Sequence, residues 1–126
     1  MHNIKLPKII GHRGAKGLAP ENTLSSLIAA QSSGLSFVEI DVKISNDNVP
    51  VLLHDDNLDR TTNGSGLCCD FNFKELSNLD SGKWFDEKYK DEKILSLSEG
   101  LDYLYKNRMG VNIELKPNKG KEKENV

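Results

Sequence analysis

The spacing of apolar residues changes period along this chain, and that change limits the fold more than any other feature. Over 37–44 the chain reads FVEIDVKI, the alternation of a strand with two unlike faces. Leu24, Leu27 and Ile28 recur at i, i+3, i+4, and Leu97, Leu101, Leu104 and Tyr105 at i, i+4, i+7, i+8, the spacing of a helix. In order, the signals predict a strand over 8–11, a helix over 23–33, strands over 37–44 and 49–54, a mostly looped stretch to 94 with a short helix near 74–78, a helix opening at Ser96, and a strand over 110–116 ended by Pro117. Strands alternating with helices predict an α/β architecture with a largely parallel sheet and the helices outside it.

Local chemistry sharpens the boundaries. Asn22 suits an N-cap and Gly34 a left-handed C′ position. SNDN before Val49 suits a tight turn, and TTNGSG over 61–66 is a turn cluster. Ser96-Leu97-Ser98-Glu99 has the spacing of a capping box. The charged tail over 118–126 reads either as the first turn of a cut-off helix or as a solvated end.

Length and charge exclude several classes. A chain of 126 residues bounds one small domain. With 37% hydrophobic and 29% charged residues it is neither disordered throughout nor a membrane protein. Seventeen Lys and Arg against nineteen Asp and Glu give −2, with no basic stripe, which argues against a nucleic-acid partner. No apolar run is long enough to span a membrane, and MHNIKLPKII lacks the apolar core of a signal peptide, so a cytoplasmic location is expected. Cys68 and Cys69 are adjacent, which disfavours a bridge between them; two free thiols in a loop fit a reducing compartment.

Strand alternation places Glu39 and Asp41 on one face, with Val38, Ile40 and Val42 on the other. The last strand divides the same way: Asn112, Glu114 and Lys116 against Val111, Ile113 and Leu115. If the two strands are parallel neighbours, three carboxylates converge near their C-terminal ends. They would repel one another and resist desolvation, and a divalent cation would relieve both costs. Oxygen ligands suit Mg²⁺ or Ca²⁺. The same alternation also fits a half-exposed sheet with its carboxylates in water. His12, in GHRG, follows the first strand and His54, in LHDD, ends the third, at the strand C-terminal ends where α/β enzymes place their chemistry. Imidazole is the side chain best matched to proton transfer near neutral pH. Arg13 and Lys116 could hold an anion, most economically a phosphate. Together these residues suggest metal-assisted acid–base chemistry on a phosphate ester.

Taken in order, GHRG (11–14), APENT (19–23), VEIDV (38–42), VPVLLHD (49–55), LDRTTNGSG, LDSGKWF and NIELKP (112–117) resemble the glycerophosphodiester phosphodiesterase family. The resemblance runs from Ile9 to about Lys119. It implies a (β/α)8 TIM barrel that hydrolyses glycerophosphodiesters to glycerol 3-phosphate and an alcohol with Mg²⁺ or Ca²⁺. By motif position it implies Glu39, Asp41 and Glu114 as metal ligands, His12 and His54 as the acid–base pair, and Arg13 and Lys116 as phosphate contacts. Trp84 and Phe85 would line the alcohol side or else pack the long loop. Asp47-Asn48 stands where the family commonly has Asp-Gly, and Asn tolerates the left-handed turn almost as well.

A closed barrel of this kind needs about 250 residues. The expectation is therefore an N-terminal part of the barrel, truncated to about four strands, with 1–126 as a partial domain. Such a half-barrel would expose sheet edges and an apolar inner surface, and so could self-associate or take its missing half in trans. Two further readings stand beside the leading one: a truncated, non-catalytic fragment, and a phospholipase D-like lipid hydrolase.

Overall fold

The computed structural model describes residues 8–117. The expectations for the first residues and for the 118–126 tail lie outside the described residues. Four strands, β1 (Gly11–His12), β2 (Phe37–Ile44), β3 (Pro50–Leu52) and β4 (Gly110–Leu115), form one sheet with helices α1 (Leu24–Ser32), α2 (Phe73–Leu76) and α3 (Leu97–Lys106). No helix among the described residues is long and apolar enough to cross a membrane.

β2 is the hub. β4 lies parallel along one of its edges, from Phe37↔Gly110 to Val42↔Leu115. The other edge is shared: β1 pairs parallel at Val38 and Glu39, and β3 pairs antiparallel at 42–44. Backbone direction places them so. The carbonyls of Glu39 and Asp41 accept from Gly14 and Leu53, whereas the carbonyl of the next residue, Val42, turns the other way to Lys116. β1 runs up this edge and β3 runs down it, so their C-terminal ends meet beside Glu39 and Asp41. β3 reverses because the Ser45–Val49 link is a hairpin turn: Ser45 N donates to Val49 O at 3.0 Å, and Asn48 takes φ +64°.

The strands are shorter than the sequence suggests. β1 occupies 11–12 instead of 8–11, because β2 offers it only two partners. β3 ends at Leu52, two residues before His54.

Val38 and Ile40 pack with Leu27, Ala30, Leu52, Leu95, Leu104 and Met109 to form the main core, as the alternation predicts. The helical stripes differ from expectation. In α1 the buried residues are Ser26, Leu27 and Ala30, while Leu24 and Ile28 are exposed. Ser26 turns inward because its hydroxyl donates to Arg13 O at 2.7 Å, tying α1 to the loop after β1. In α3, Gly100 and Leu104 face the core and Tyr105 is 86% exposed. A Cβ on Gly100 would lie 3.4–3.6 Å from Leu95 and Leu52, so a small residue lets the helix approach β3.

The helix ends follow local rules, with one correction. Thr23, not Asn22, caps α1: its hydroxyl accepts from Ser26 N at 3.2 Å. Asn22 has φ +57° and is used elsewhere. Past α1, Gly34 (φ +86°) donates to Gln31 O and Leu35 to Ala30 O, each at 3.0 Å, a Schellman closure. The capping box of α3 is present, with Ser96 Oγ accepting from Glu99 N at 3.1 Å.

The stretch after β3 is more than a loop. It contains α2 and two 3₁₀ turns, Cys68–Asp70 and Glu87–Tyr89, and closes a second core of Val51, Leu53, Leu58, Cys68, Leu76 and Ile94. Both cysteines are free and buried, and burial pushes the Cys68 thiol up to about 12. The exposed apolar side chains of β4 are Ile113 and Leu115, 37% and 60% exposed. They share the face on which β2 meets the helices. The expected apolar inner surface is therefore corrected: the opposite face carries Glu39, Asp41, Lys43, Glu114 and Lys116, and the apolar exposure is on the outer face.

Candidate active site

The GHRG turn sets the first wall. Gly14 has φ +79°, and a Cβ there would lie 2.2 Å from Ser26 Oγ, so only glycine admits this packing. The turn brings Arg13 N to 3.2 Å from Glu39 Oε1 and His12 Nε2 to 3.7 Å from the same oxygen. Partial desolvation and the Arg13 and Lys16 cations hold the His12 imidazole below its ordinary value.

Parallel pairing of β2 with β4 does what the alternation predicts. Asp41 stands opposite Glu114, and carboxylate oxygens of Glu39, Asp41 and Glu114 lie within 4.8 Å of one another. Glu39 and Asp41 are buried, and Glu114 is exposed. Burial, with the Asp41 carboxylate close by, pushes the Glu39 carboxyl up to about 7. Glu39 Oε2 is buried and has no hydrogen-bond donor. An acceptor-only cluster with such an oxygen has the donor chemistry of a hard divalent cation site.

The two basic candidates are held by acids. Arg13 places Nη1 3.0 Å from Glu21 Oε2 and Nε 3.4 Å from Asp41 Oδ2, and that buried Nε lacks a hydrogen-bond acceptor. Lys116 Nζ lies 2.8 Å from Glu114 Oε1. His54 follows β3, with Nδ1 2.8 Å from Asp55 Oδ1. Ion pairs running through Asp55, Arg60, Glu21 and Arg13 connect it to Asp41 on β2. A continuous set of contacts thus links all seven sequence candidates, His12, Arg13, Glu39, Asp41, Glu114 and Lys116 directly and His54 through the ion pairs of Asp55, Arg60 and Glu21.

Four residues at the site escape a reading of periodicity. Asn22 Nδ2 donates to Asp41 Oδ2 at 3.1 Å, and its Oδ1 accepts from Asp41 N at 3.2 Å. A helix cap accounts for an Asn before a helix, and nothing local distinguishes that role from this clamp. Glu21, Asp55 and Arg60 form a cross-loop ion network; LDRTT carries the arginine, but spacing does not reveal its partners. Trp84 packs its ring 5.9 Å from the Arg60 guanidinium carbon, and its indole N–H donates to Ser81 O.

Comparison with known proteins gives the family and the fold. The model of the glycerophosphoryl diester phosphodiesterase family matches residues 12–126. YhdW of Bacillus subtilis is 44% identical over 108 residues, 86% of this chain and 44% of its own length. The glycerophosphodiester phosphodiesterase of Caldanaerobacter subterraneus is 39% identical over 108 residues, with the same coverage of 86% and 44%. Among solved structures, a phosphodiesterase of Oleispira antarctica, in complex with the product sn-glycerol-3-phosphate, is similar with a TM-score of 0.89 and 48% identity, over 91% of this chain and 47% of that one. A glycerophosphodiester phosphodiesterase of Agrobacterium tumefaciens has a TM-score of 0.79 and 42% identity, over 82% of this chain and 45% of that one. The sheet and its helices correspond to part of the TIM barrel of these relatives, and the chain spans less than half the length of each. The chain belongs to the glycerophosphoryl diester phosphodiesterase family.

Proposed function

We propose that this chain carries the cation-binding and acid–base portion of a phosphodiesterase that hydrolyses glycerophosphodiesters to glycerol 3-phosphate and an alcohol. The observation that carries the proposal is the meeting of three strand ends on one polar face, where Glu39 Oε2 and Arg13 Nε are both buried without a hydrogen bond and Nε lies 3.4 Å from Asp41 Oδ2. A cation would satisfy the carboxylate oxygen, and a phosphate oxygen would satisfy the guanidinium N–H.

Glu39, Asp41 and Glu114 would hold Mg²⁺ or Ca²⁺, which when bound supplies Lewis-acid stabilisation of charge on the phosphate. His12 and His54 are the proton-transfer groups, one accepting from the attacking hydroxyl and the other donating to the leaving oxygen. Arg13 Nε and Lys116 Nζ bind the phosphate, Lys116 exchanging its Glu114 contact for it. The displacement makes one phosphorus–oxygen bond and breaks another; it leaves the accepting histidine protonated and the donating one deprotonated, and proton exchange with solvent resets the pair.

The test is release of glycerol 3-phosphate from glycerophosphocholine by the 126-residue chain, with Mg²⁺, with Ca²⁺ and with EDTA, beside His12→Ala. Cation-dependent turnover that disappears in the variant supports the proposal. A chain that binds cation yet releases no product contradicts it. Choline lysolipid in a parallel assay separates a lipid hydrolase of the phospholipase D type.

A second reading is favoured by β4. Among the described residues this strand pairs only with β2, and Ile113 and Leu115 stand exposed beside that open edge. In this reading turnover appears only when another polypeptide or a second copy completes the sheet. Sedimentation of the chain at several concentrations, with activity followed in parallel, separates it from the first.

A further inference from the structure

A chain of alternating charges joins the two loops that carry the histidines. Asp41 lies 3.4 Å from Arg13 Nε, and Arg13 Nη1 lies 3.0 Å from Glu21 Oε2. Arg60 then grips Glu21 with both terminal nitrogens, Nη1 to Oε1 at 2.9 Å and Nη2 to Oε2 at 3.0 Å. The same guanidinium forks onto Asp55, Nε to Oδ2 at 2.8 Å and Nη2 to Oδ1 at 3.0 Å. Asp55 Oδ1 is also the atom 2.8 Å from His54 Nδ1. Glu21 belongs to the segment between β1 and α1, and Asp55 and Arg60 to the segment after β3. No other guanidinium among the described residues is forked between two carboxylates in this way.

Two physical points follow. A planar guanidinium forked onto two carboxylates fixes both in orientation, which a lysine cannot do. The Arg60 hydrogen bonds also hold the Asp55 carboxyl well below the usual carboxylate range, so Asp55 stays ionised and can only accept. A neutral imidazole against it must then carry its proton on Nδ1.

We infer that Arg60 is a positioning residue for His54: anchored by Glu21, it fixes the Asp55 carboxylate that holds His54 by Nδ1–H and leaves Nε2 as the free proton acceptor. The inference rests on the reading of His54 as a proton-transfer group, but its structural half stands apart from activity. It also gives Trp84 a role, as the aromatic surface that packs against this guanidinium.

The test is ¹⁵N NMR of the His54 ring in the labelled 126-residue chain, at a pH where imidazole is neutral, with His54→Gln to assign the signals. The wild type is expected to show the Nδ1–H tautomer as the dominant form. In Arg60→Lys, which keeps the charge and loses both forks, the Nε2–H tautomer is expected to become the larger population. In parallel, kcat on glycerophosphocholine is expected to fall at least about tenfold, within the roughly 10²–10⁴-fold that an acid–base group contributes, with KM changed less than about twofold. A wild-type Nε2–H tautomer overturns the inference, as does an unchanged His54 signature in Arg60→Lys with its cooperative melt intact. Should Arg60→Lys fail to fold, Glu21→Gln, which loosens the anchor and leaves the Asp55 fork, is expected to shift the same signature part of the way; no shift overturns the inference. A wild-type chain with no turnover would sink the proposed function while the tautomer measurement still decides this point.

Discussion

The two edges of β2 build their parts of the site differently. On the β1 and β3 edge, Glu39 and Asp41 are buried, and Asn22, Arg13, Glu21 and Arg60 hold the surrounding loops by hydrogen bonds and ion pairs. On the β4 edge, Glu114 is exposed and Lys116 partly buried, and their ion pair is with each other. The backbone register alone places Glu114 opposite Asp41. One wall is fixed before any ligand arrives, and the other is set only by its strand. Preorganisation of this kind is where ligand affinity and catalytic precision come from, so the two walls should respond unequally to the same change.

The largest inequality is expected between the carboxylates themselves. Asp41→Asn should weaken Mg²⁺ or Ca²⁺ binding by at least about 100-fold, whereas Glu114→Gln should cost about tenfold or less. Isothermal titration calorimetry on both variants checks this, and equal losses would break the comparison.

Next comes pH. Glu39 is raised in the folded chain to about 7 from its ordinary value of 4.5. A raised folded value means that its stabilising contribution is fully present below the unfolded value and is lost as pH rises through the folded one. In EDTA, therefore, melting temperature should fall between about pH 4.5 and 7 from this group. Cation and proton compete for the same oxygen, so affinity should drop by about 16-fold from pH 7 to 5.5 if one proton is displaced. Affinity that is flat over this range would mean that Glu39 is not a ligand.

Asn22→Ala tests whether the clamp matters to the fixed wall. Loss of both contacts to Asp41 should weaken the cation about tenfold with the α1 cap at Thr23 intact, since outer contacts to ligands are worth roughly 10–100-fold. The smallest effect is expected on the open wall: Leu115→Ser, at a 60% exposed position, should change stability by less than about 0.5 kcal/mol. A larger loss would show that the β4 edge is covered in solution.

These contrasts also explain what could be read from the sequence. The alternation in 37–44 and 110–115 determines which side chains share a face, because period two has no alternative in a paired strand, and it assembled the carboxylates correctly. The capping box at Ser96 and the left-handed Gly34 are local rules met by local residues. The antiparallel course of β3 was legible only as a tight turn; the head-to-head meeting of β1 and β3 depends on which edge of β2 each takes, which is tertiary. Asn22 satisfies the helix-cap rule so well that its bond to Asp41, nineteen residues away, is invisible. Arg108 ends α3 with φ +54°, donating to Tyr105 O, a position where glycine would have been the signal. Glu21 and Arg60 meet across 39 residues of chain, and no period or spacing encodes such a pair.

The central claim is that Glu39 and Asp41, on the preorganised wall, form a cation site with Glu114 opposite them. The most direct test is calorimetric titration of Mg²⁺ and Ca²⁺ into the 126-residue chain at pH 7.5, beside Glu39→Gln, with melting followed in EDTA. The account predicts saturable one-to-one binding in the wild type, its loss in Glu39→Gln, and a higher melting temperature for that variant without metal, because a costly buried charge has gone. No saturable binding by a folded wild-type chain, or binding unchanged in Glu39→Gln, would contradict it.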